Sequence, residues 1–576
     1  MRDTKLLPNW YVPIMEKRLS EEDKAFLKEI YEPTAVSAGF STAWHGLAVM
    51  PDGEIRLYDD RKGKPIYLSS GDCGLSWKLH KGDPQAMPAA LRNPKTGRYI
   101  GVGLASANSA VDDNRVICYT DGDPDGHDFT IVPVDALGHD CMKPPVFLQA
   151  ADRVIIPCNH DRHGAVLLSD DDGASWRLVD IEPTDHFVQT PPHEGMRWEN
   201  SGLEPTVVEL ADGTLLCYLR TSTDFHYVTR SYDHGDTWTK PEPTPFHSVL
   251  TFPNLFRLND GRILFFFNNT KPLPEVDHRS YFPPLGEDVI TGVWEDVFTN
   301  RDAMHIAVSD DEAKTWRGFR ELQLNDLRNT CDFRSSGGND GVNDKSVHQS
   351  QVLELPYGKI LVHNGQHPNV NKVLIFDINW LYEQGRRETL SHGLGALSTQ
   401  VYLQSVSGGI CPPFPGHCAW NRTNGVIPVP DPSGDHSEVL LFRNPGDDRL
   451  FNQIQGAVWN FPATHHGEVS VKLRVLGDGL RISLLDYWMN PCDPTVGSCA
   501  AFSADICEKT ADWVTVTLQF DTDRRTAQML WNGKKICSLP MRGEAPHGLY
   551  YLHLQTVAAS GDRLGSLVKE FYENAT

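Results

Sequence analysis

The sequence has no apolar run approaching the roughly 18 residues that cross a membrane as a helix, so no membrane partner is expected. Its start, MRDTKLLPNWYV, lacks the apolar stretch of roughly 7–15 residues that follows a basic beginning in a secretory leader, which makes the cytoplasm the expected location. Positive charge is in deficit. Against 76 Asp and Glu stand 53 Lys and Arg, a net charge of -23, and no basic field exists to attract nucleic acid. An anionic small ligand stays allowed, because it needs only a few local cations. The 12 Cys fall at irregular spacings in a long chain and do not read as a disulfide framework, so reduced, buried thiols are expected. A glycine-rich phosphate loop, a nucleophile-elbow serine and a dinucleotide fingerprint are all missing, and no cofactor is expected.

What is present is repetition. At 576 residues the chain is too long for one ordinary core, and internal repeats show how it is divided. Four segments follow Ser-x-Asp-x-Gly-x-x-Trp: Ser70–Trp77 (SGDCGLSW), Ser169–Trp176 (SDDDGASW), Ser231–Trp238 (SYDHGDTW) and Ser309–Trp316 (SDDEAKTW), the last with Ala313 in the Gly place. The pattern describes a tight β-turn in which Asp bonds the turn backbone, Gly takes positive φ, and Trp packs beneath the hairpin.

A second repeat precedes each of these turns. Blade segments begin near a Pro, run through an apolar strand, turn, and run through another, as in LEPTVVELADGTLLCYLRT (203–221) and FPNLFRLNDGRILFFFNNT (252–270). Positions sixteen residues apart fall on one rim of the strands. They pair Trp44 with Asp60, Lys143 with Asn159, Glu204 with Arg220, and Phe252 with Asn268; a weaker copy supplies Gln349 and the Asn364–His367 turn, and another begins near Met87. Six blades between about residue 39 and residue 385 follow, an all-β propeller. The strands converge on its axis, so the columns predict a polar pocket. The alternative is a structural network in which Glu204 pairs with Arg220 or Lys143.

The four octamers resemble the Asp box of sialidases and related propellers. That resemblance implies a six-bladed β-propeller of the sialidase fold, with the boxes on the blade rim and their Asp residues structural. It also implies that Glu204, in its Glu-Pro motif, polarises a nucleophile, and that Arg220 clamps a substrate carboxylate. The Arg-Ile-Pro motif of sialidases is missing: FSTAWHGLAV has His45 and no Arg. LYDDRKGKPIYLSS leaves little room for the family's acid/base Asp insertion, and the Tyr nucleophile has no clear position, with Arg279 and Tyr281 as loop candidates. The reading is therefore sialidase-like, not a strict sialidase: an exo-acting glycosidase removing an acidic or deoxy terminal sugar. Its catalytic candidates are Glu204, Asp60 and His45; Arg220, Lys143, Asn159, His160, Asn268 and Trp44 are the candidates for binding the oligosaccharide. Two alternatives stand beside it. One is a uronate-directed lyase of the rhamnose–glucuronate type, in which Lys143, Arg220, His45 or a pocket Tyr supplies cation or base. The other is a non-catalytic glycan-binding protein. The run CNHDRHG offers Cys158, His160 and His163, but the second half of a zinc pattern is missing, so no metal is expected.

Beyond the propeller (39–390, after an N-terminal segment 1–38 packed on it), residues 391–437 are rich in Pro, Gly and Asn and read as a linker. Residues 438–576 alternate as strands and predict a β-sandwich of the concanavalin or laminin-G kind. Its segments AVWNFP (457–462) and DYWMNP (486–491) are too apolar to stay exposed, and docking on the propeller is expected.

Overall fold

The computed structural model describes residues 9–39, 47–58, 66–81, 89–103, 115–119, 129–132, 139–140, 143–186, 188, 200–270, 301–329, 346–365, 370–402, 422–435, 437–447, 450, 453–557 and 561–575. Six antiparallel sheets form the blades of a propeller. Their innermost strands are Leu47–Val49, Ala89–Arg92, Val146–Leu148, Thr206–Glu209, Asn254–Arg257 and Gln351–Glu354. The ring closes with a strand from the other end of the chain: Thr34–Ala38 pairs with Lys372–Asp377 as the outer strand of the sixth blade. The expected start of the propeller at residue 39 therefore moves back to take in this strand.

Blade strands are apolar on both sides because each blade is covered by its neighbours. Ile263–Phe267, for example, is buried throughout. Phe265 and Phe267 stack at 4.5 Å, while the intervening Phe266 joins a different cluster, as alternation requires. Two N-terminal helices, Val12–Arg18 and Glu21–Glu29, pack Met15, Leu19 and Leu27 against Leu353, Leu361 and Ile375. The second begins with a capping box in which Ser20 and Asp23 satisfy each other's backbone N–H. No helix among the described residues is long and apolar enough to cross a membrane.

The sandwich has an eight-stranded and a five-stranded sheet. Strands of the larger sheet alternate, as His466–Val475 does residue by residue, because one face meets solvent. In the smaller sheet, Leu549–Thr556 is buried at every position. It is covered on one side by the larger sheet and on the other by the propeller. The stretch read as a linker is not one: Leu397–Ser398 joins the smaller sheet and Ile427–Pro430 the larger. Pro428 and Pro430 misled the reading because Pro lacks an N–H for a ladder, yet this strand lies at a sheet edge, where Pro is tolerated. The residues after the sixth blade form a 3₁₀ turn, Ile378–Tyr382, and then Gly385–Glu388, which pairs with the last strand of the sandwich.

Candidate active site at the propeller axis

Inner strands run from Lys143, Glu204, Phe252 and Gln349 at one end of the axis to Gln149, Glu209, Leu258 and Leu355 at the other. Second strands return to the first end, where Asn159, Arg220, Asn268 and Asn364 stand. In the fourth blade Asn200 opens a turn, its Oδ1 accepting from the N–H groups of Gly202 and Leu203. This turn sets Glu204 in the left-handed region, at φ 55°, where a non-glycine residue is uncommon and costs on the order of 1 kcal/mol. The Glu204 N–H donates to Asn159 Oδ1 of the third blade at 2.6 Å. Both carboxylate oxygens accept from Arg220 Nη1 at 2.9 Å. The pair is almost wholly buried.

Lys143 reaches across to the fifth blade. Its Nζ donates to the Pro253 carbonyl at 2.7 Å and lies 3.1 Å from the centre of the Phe252 ring. Burial holds the amine well below its ordinary value; the Glu204 carboxylate pulls the other way but is engaged by Arg220. Behind Arg220, burial pushes the His226 ring down to about 3, so it stands neutral beside the guanidinium.

A cavity of about 340 Å³ runs along the axis. Lys143 and Phe252 line its near end, Val207, Leu255 and Leu353 its walls, and Asn9, Trp10 and Arg257 its far end. Glu204 and Arg220 are not in its wall. The far end is held shut: Asn9 Nδ2 donates to Glu354 Oε2 at 2.7 Å, and the same oxygen accepts from the Asn259 N–H.

The structure thus brings together Lys143, Asn159, Glu204, Arg220 and Phe252. Two predicted residues stand elsewhere. Asn268 is fully buried and staples the fifth blade to the sixth, its Nδ2 donating to the carbonyls of Ala303 and Val347. His160, adjacent to Asn159, projects from the opposite sheet face because side chains alternate, and meets Asp180 at 2.7 Å. Trp44, His45, Asp60, Arg279, Tyr281 and His367 lie outside the described residues. Sequence reading missed Asn200, which its Asn-Ser-Gly turn composition marks, and His226, which nothing in an apolar strand marks.

Residues 137–365 match the model of the BNR repeat-like domain, a span that holds three of the four Asp boxes. That span runs from the third blade into the sixth. Among solved structures the chain is similar to the Trypanosoma rangeli sialidase in complex with 2,3-difluorosialic acid, at 13% identity over 95% of this chain and 91% of that one, with a TM-score of 0.34. It is also similar to a protein of unknown function from Dyadobacter fermentans (16%, 60% and 97%, TM-score 0.36) and to the NanB sialidase of Streptococcus pneumoniae (13%, 63% and 73%, TM-score 0.37). No curated protein matches the sequence.

Proposed function

We propose that this chain is a carbohydrate-active enzyme of the glycoside hydrolase type, removing a terminal acidic or deoxy sugar from an oligosaccharide. The observation that carries the reading is the Glu204–Arg220 pair, with Glu204 in a left-handed backbone and its N–H on Asn159, at the end of the axis where Lys143 also stands. Strain and buried charge are costly and persist where the surroundings over-determine them, as they do at sites of chemistry. In this reading Arg220 binds the substrate carboxylate, Glu204 polarises the nucleophile, and His45 and Asp60 share the proton transfers. Trp44 offers a stacking surface. The BNR repeat-like match supports the class of enzyme and leaves the sugar open. The test is a screen of acidic and deoxy-sugar oligosaccharides read by mass spectrometry, repeated with Glu204→Gln and Arg220→Lys. Loss of turnover by a hundredfold or more is expected in variants that melt as a single cooperative unit. Full turnover in both variants would remove these residues from the site.

One observation favours a second reading, elimination at a uronate. A neutral amine is a Brønsted base, and burial shifts Lys143 towards that form. Lyase products carry a new carbon–carbon double bond conjugated to the carboxylate and absorb in the ultraviolet; hydrolase products do not. Rising absorbance that Lys143→Met abolishes selects this reading. Released reducing sugar with a flat trace selects hydrolysis.

A further inference from the structure

We infer that the rim of the third blade carries a three-ligand site for a zinc-class divalent cation, made by His160, His163 and Asp180. The two histidines close a hairpin and stand directly opposite each other in its ladder. The turn between them, Asp161 and Arg162, has both residues in the left-handed region, at φ 43° and 66°. This is the two-residue geometry for which glycine is the usual occupant. Asp180, on the next strand, faces the same pair. One ligand atom from each residue lies within 4.8 Å of the others.

The convergence of three ligand atoms, with the ring orientation of His163, suits a cation. His163 Nδ1–H donates to the Asp161 carbonyl at 3.2 Å, which leaves Nε2 with its lone pair outward, the orientation that a backbone carbonyl gives to metal-binding imidazoles. That Nε2 stands 3.3 Å from Asp180 Oδ1, a separation that a ring proton or a bound cation can bridge. A tetrahedral ion with bonds of about 2.0–2.1 Å sets neighbouring ligand atoms roughly 3.3 Å apart, the separation already present. His160 Nδ1, 2.7 Å from the same oxygen, needs only a small rotation of a half-buried ring. Two imidazoles and one carboxylate suit zinc, cobalt or nickel better than calcium or magnesium. Cys158, one pleat deeper, is buried in an apolar cluster and is not a ligand.

Titration of the full-length, reduced protein with Zn²⁺ alone, followed by calorimetry, tests the site. A 1:1 event is expected that weakens at least tenfold in His163→Ala and in Asp180→Asn. The Asn variant keeps a hydrogen-bonding group for His160 and removes the charge, so its loss of binding reports ligation rather than folding. His466→Ala, in a more exposed His466–Asp521–Asp523 group, serves as control and leaves the event unchanged. Co²⁺ is expected to give the visible bands of a tetrahedral site without thiolate charge transfer. Zinc binding that survives both His163→Ala and Asp180→Asn, a thiolate band arising from Cys499 or Cys507, or no binding at all overturns the assignment.

Discussion

Arg220 and Glu204 form a buried ion pair, and removing one takes from the other its opposite charge. Glu204→Ala is expected to destabilise the chain by about 3–5 kcal/mol. Glu204→Met with Arg220→Met is expected to recover most of that loss, since an apolar pair of similar volume avoids the desolvation. Chemical denaturation of the singles and the double gives the coupling, and additive losses would contradict the pairing. A different buried carboxyl sets a pH dependence. Among the described residues Glu573 has no hydrogen-bond partner on either oxygen, and burial pushes it up to about 8, with Arg320 pulling the other way. An unfolded glutamate ionises near 4.5, so between about 4.5 and 8 the folded chain keeps a proton that the unfolded chain has released. Stability therefore falls as pH rises through that window, by something on the order of a few kcal/mol. Glu573→Gln should flatten this part of the slope and raise the melting temperature near pH 8; denaturation at about pH 5 and pH 8 checks it. At this scale the legible residues were those tied to a repeat. Glu204 and Arg220 stand out because strand lengths repeat between blades. Glu573 and His226 do not, since a polar residue inside an apolar strand announces nothing about what lies across from it. Asn268 carries the same column signal as Arg220 but spends it on two backbone carbonyls.

The Asp box shows how much an element's composition can say. In the first box Ser70 Oγ donates to Asp72 and accepts from the Gly74 N–H, while Asp72 accepts from the Ser76 N–H. Trp77 Nε1 donates back to the Gly74 carbonyl at 2.8 Å. The expected positive φ at Gly is found, but the preceding residue shares it: Cys73 and Gly74 stand at 59° and 90°, and His234 and Gly235 at 61° and 99°. In the fourth box Ala313 takes 61°, where a side chain is strained by about 1–2 kcal/mol and glycine is not. Ala313→Gly gives back part of that in unfolded-chain entropy, so a net gain of about 0.5–1 kcal/mol is expected, read as a higher melting temperature. A lower one would mean that the Ala313 methyl packs for more than it strains. Boxes mark the first, third, fourth and fifth blades. The second and sixth have none, which is why those two had to be read from weak strand copies alone. The supposed linker failed for the opposite reason, because Pro and Gly describe an edge strand as well as they describe a connection.

Propeller and sandwich share one hydrophobic core. Phe246, Phe265, Phe319 and Trp316 of the blades belong to the same cluster as Trp459, Tyr550 and Phe571 of the sandwich. Docking was legible in the apolar segments, but not which atoms carry it. In AVWNFP, Trp459 turns into the sandwich towards Phe571, and it is Asn460 that bonds the propeller, at the Phe319 carbonyl. In DYWMNP, Tyr487 lies on the His247 ring, and the Trp488 N–H donates to the Asn269 carbonyl. A buried relay crosses the seam: the Asn269 N–H donates to His305 Nδ1, His305 Nε2 contacts the Tyr551 hydroxyl, and that hydroxyl donates to Glu321 at 2.8 Å. Truncation after Glu383 is therefore expected to yield an insoluble or markedly less stable propeller. A soluble fragment with the melting temperature of the whole chain would show the seam to be dispensable. The closing strand Thr34–Ala38 has a consequence for how the molecule is made. It leaves the ribosome before any blade, but its partner Lys372–Asp377 follows more than three hundred residues later. At about 5–20 residues per second that interval is several tens of seconds. Throughout it the nascent chain carries an unpaired strand edge ahead of an open ring, so holding chaperones have their longest claim on this protein before the last blade is translated.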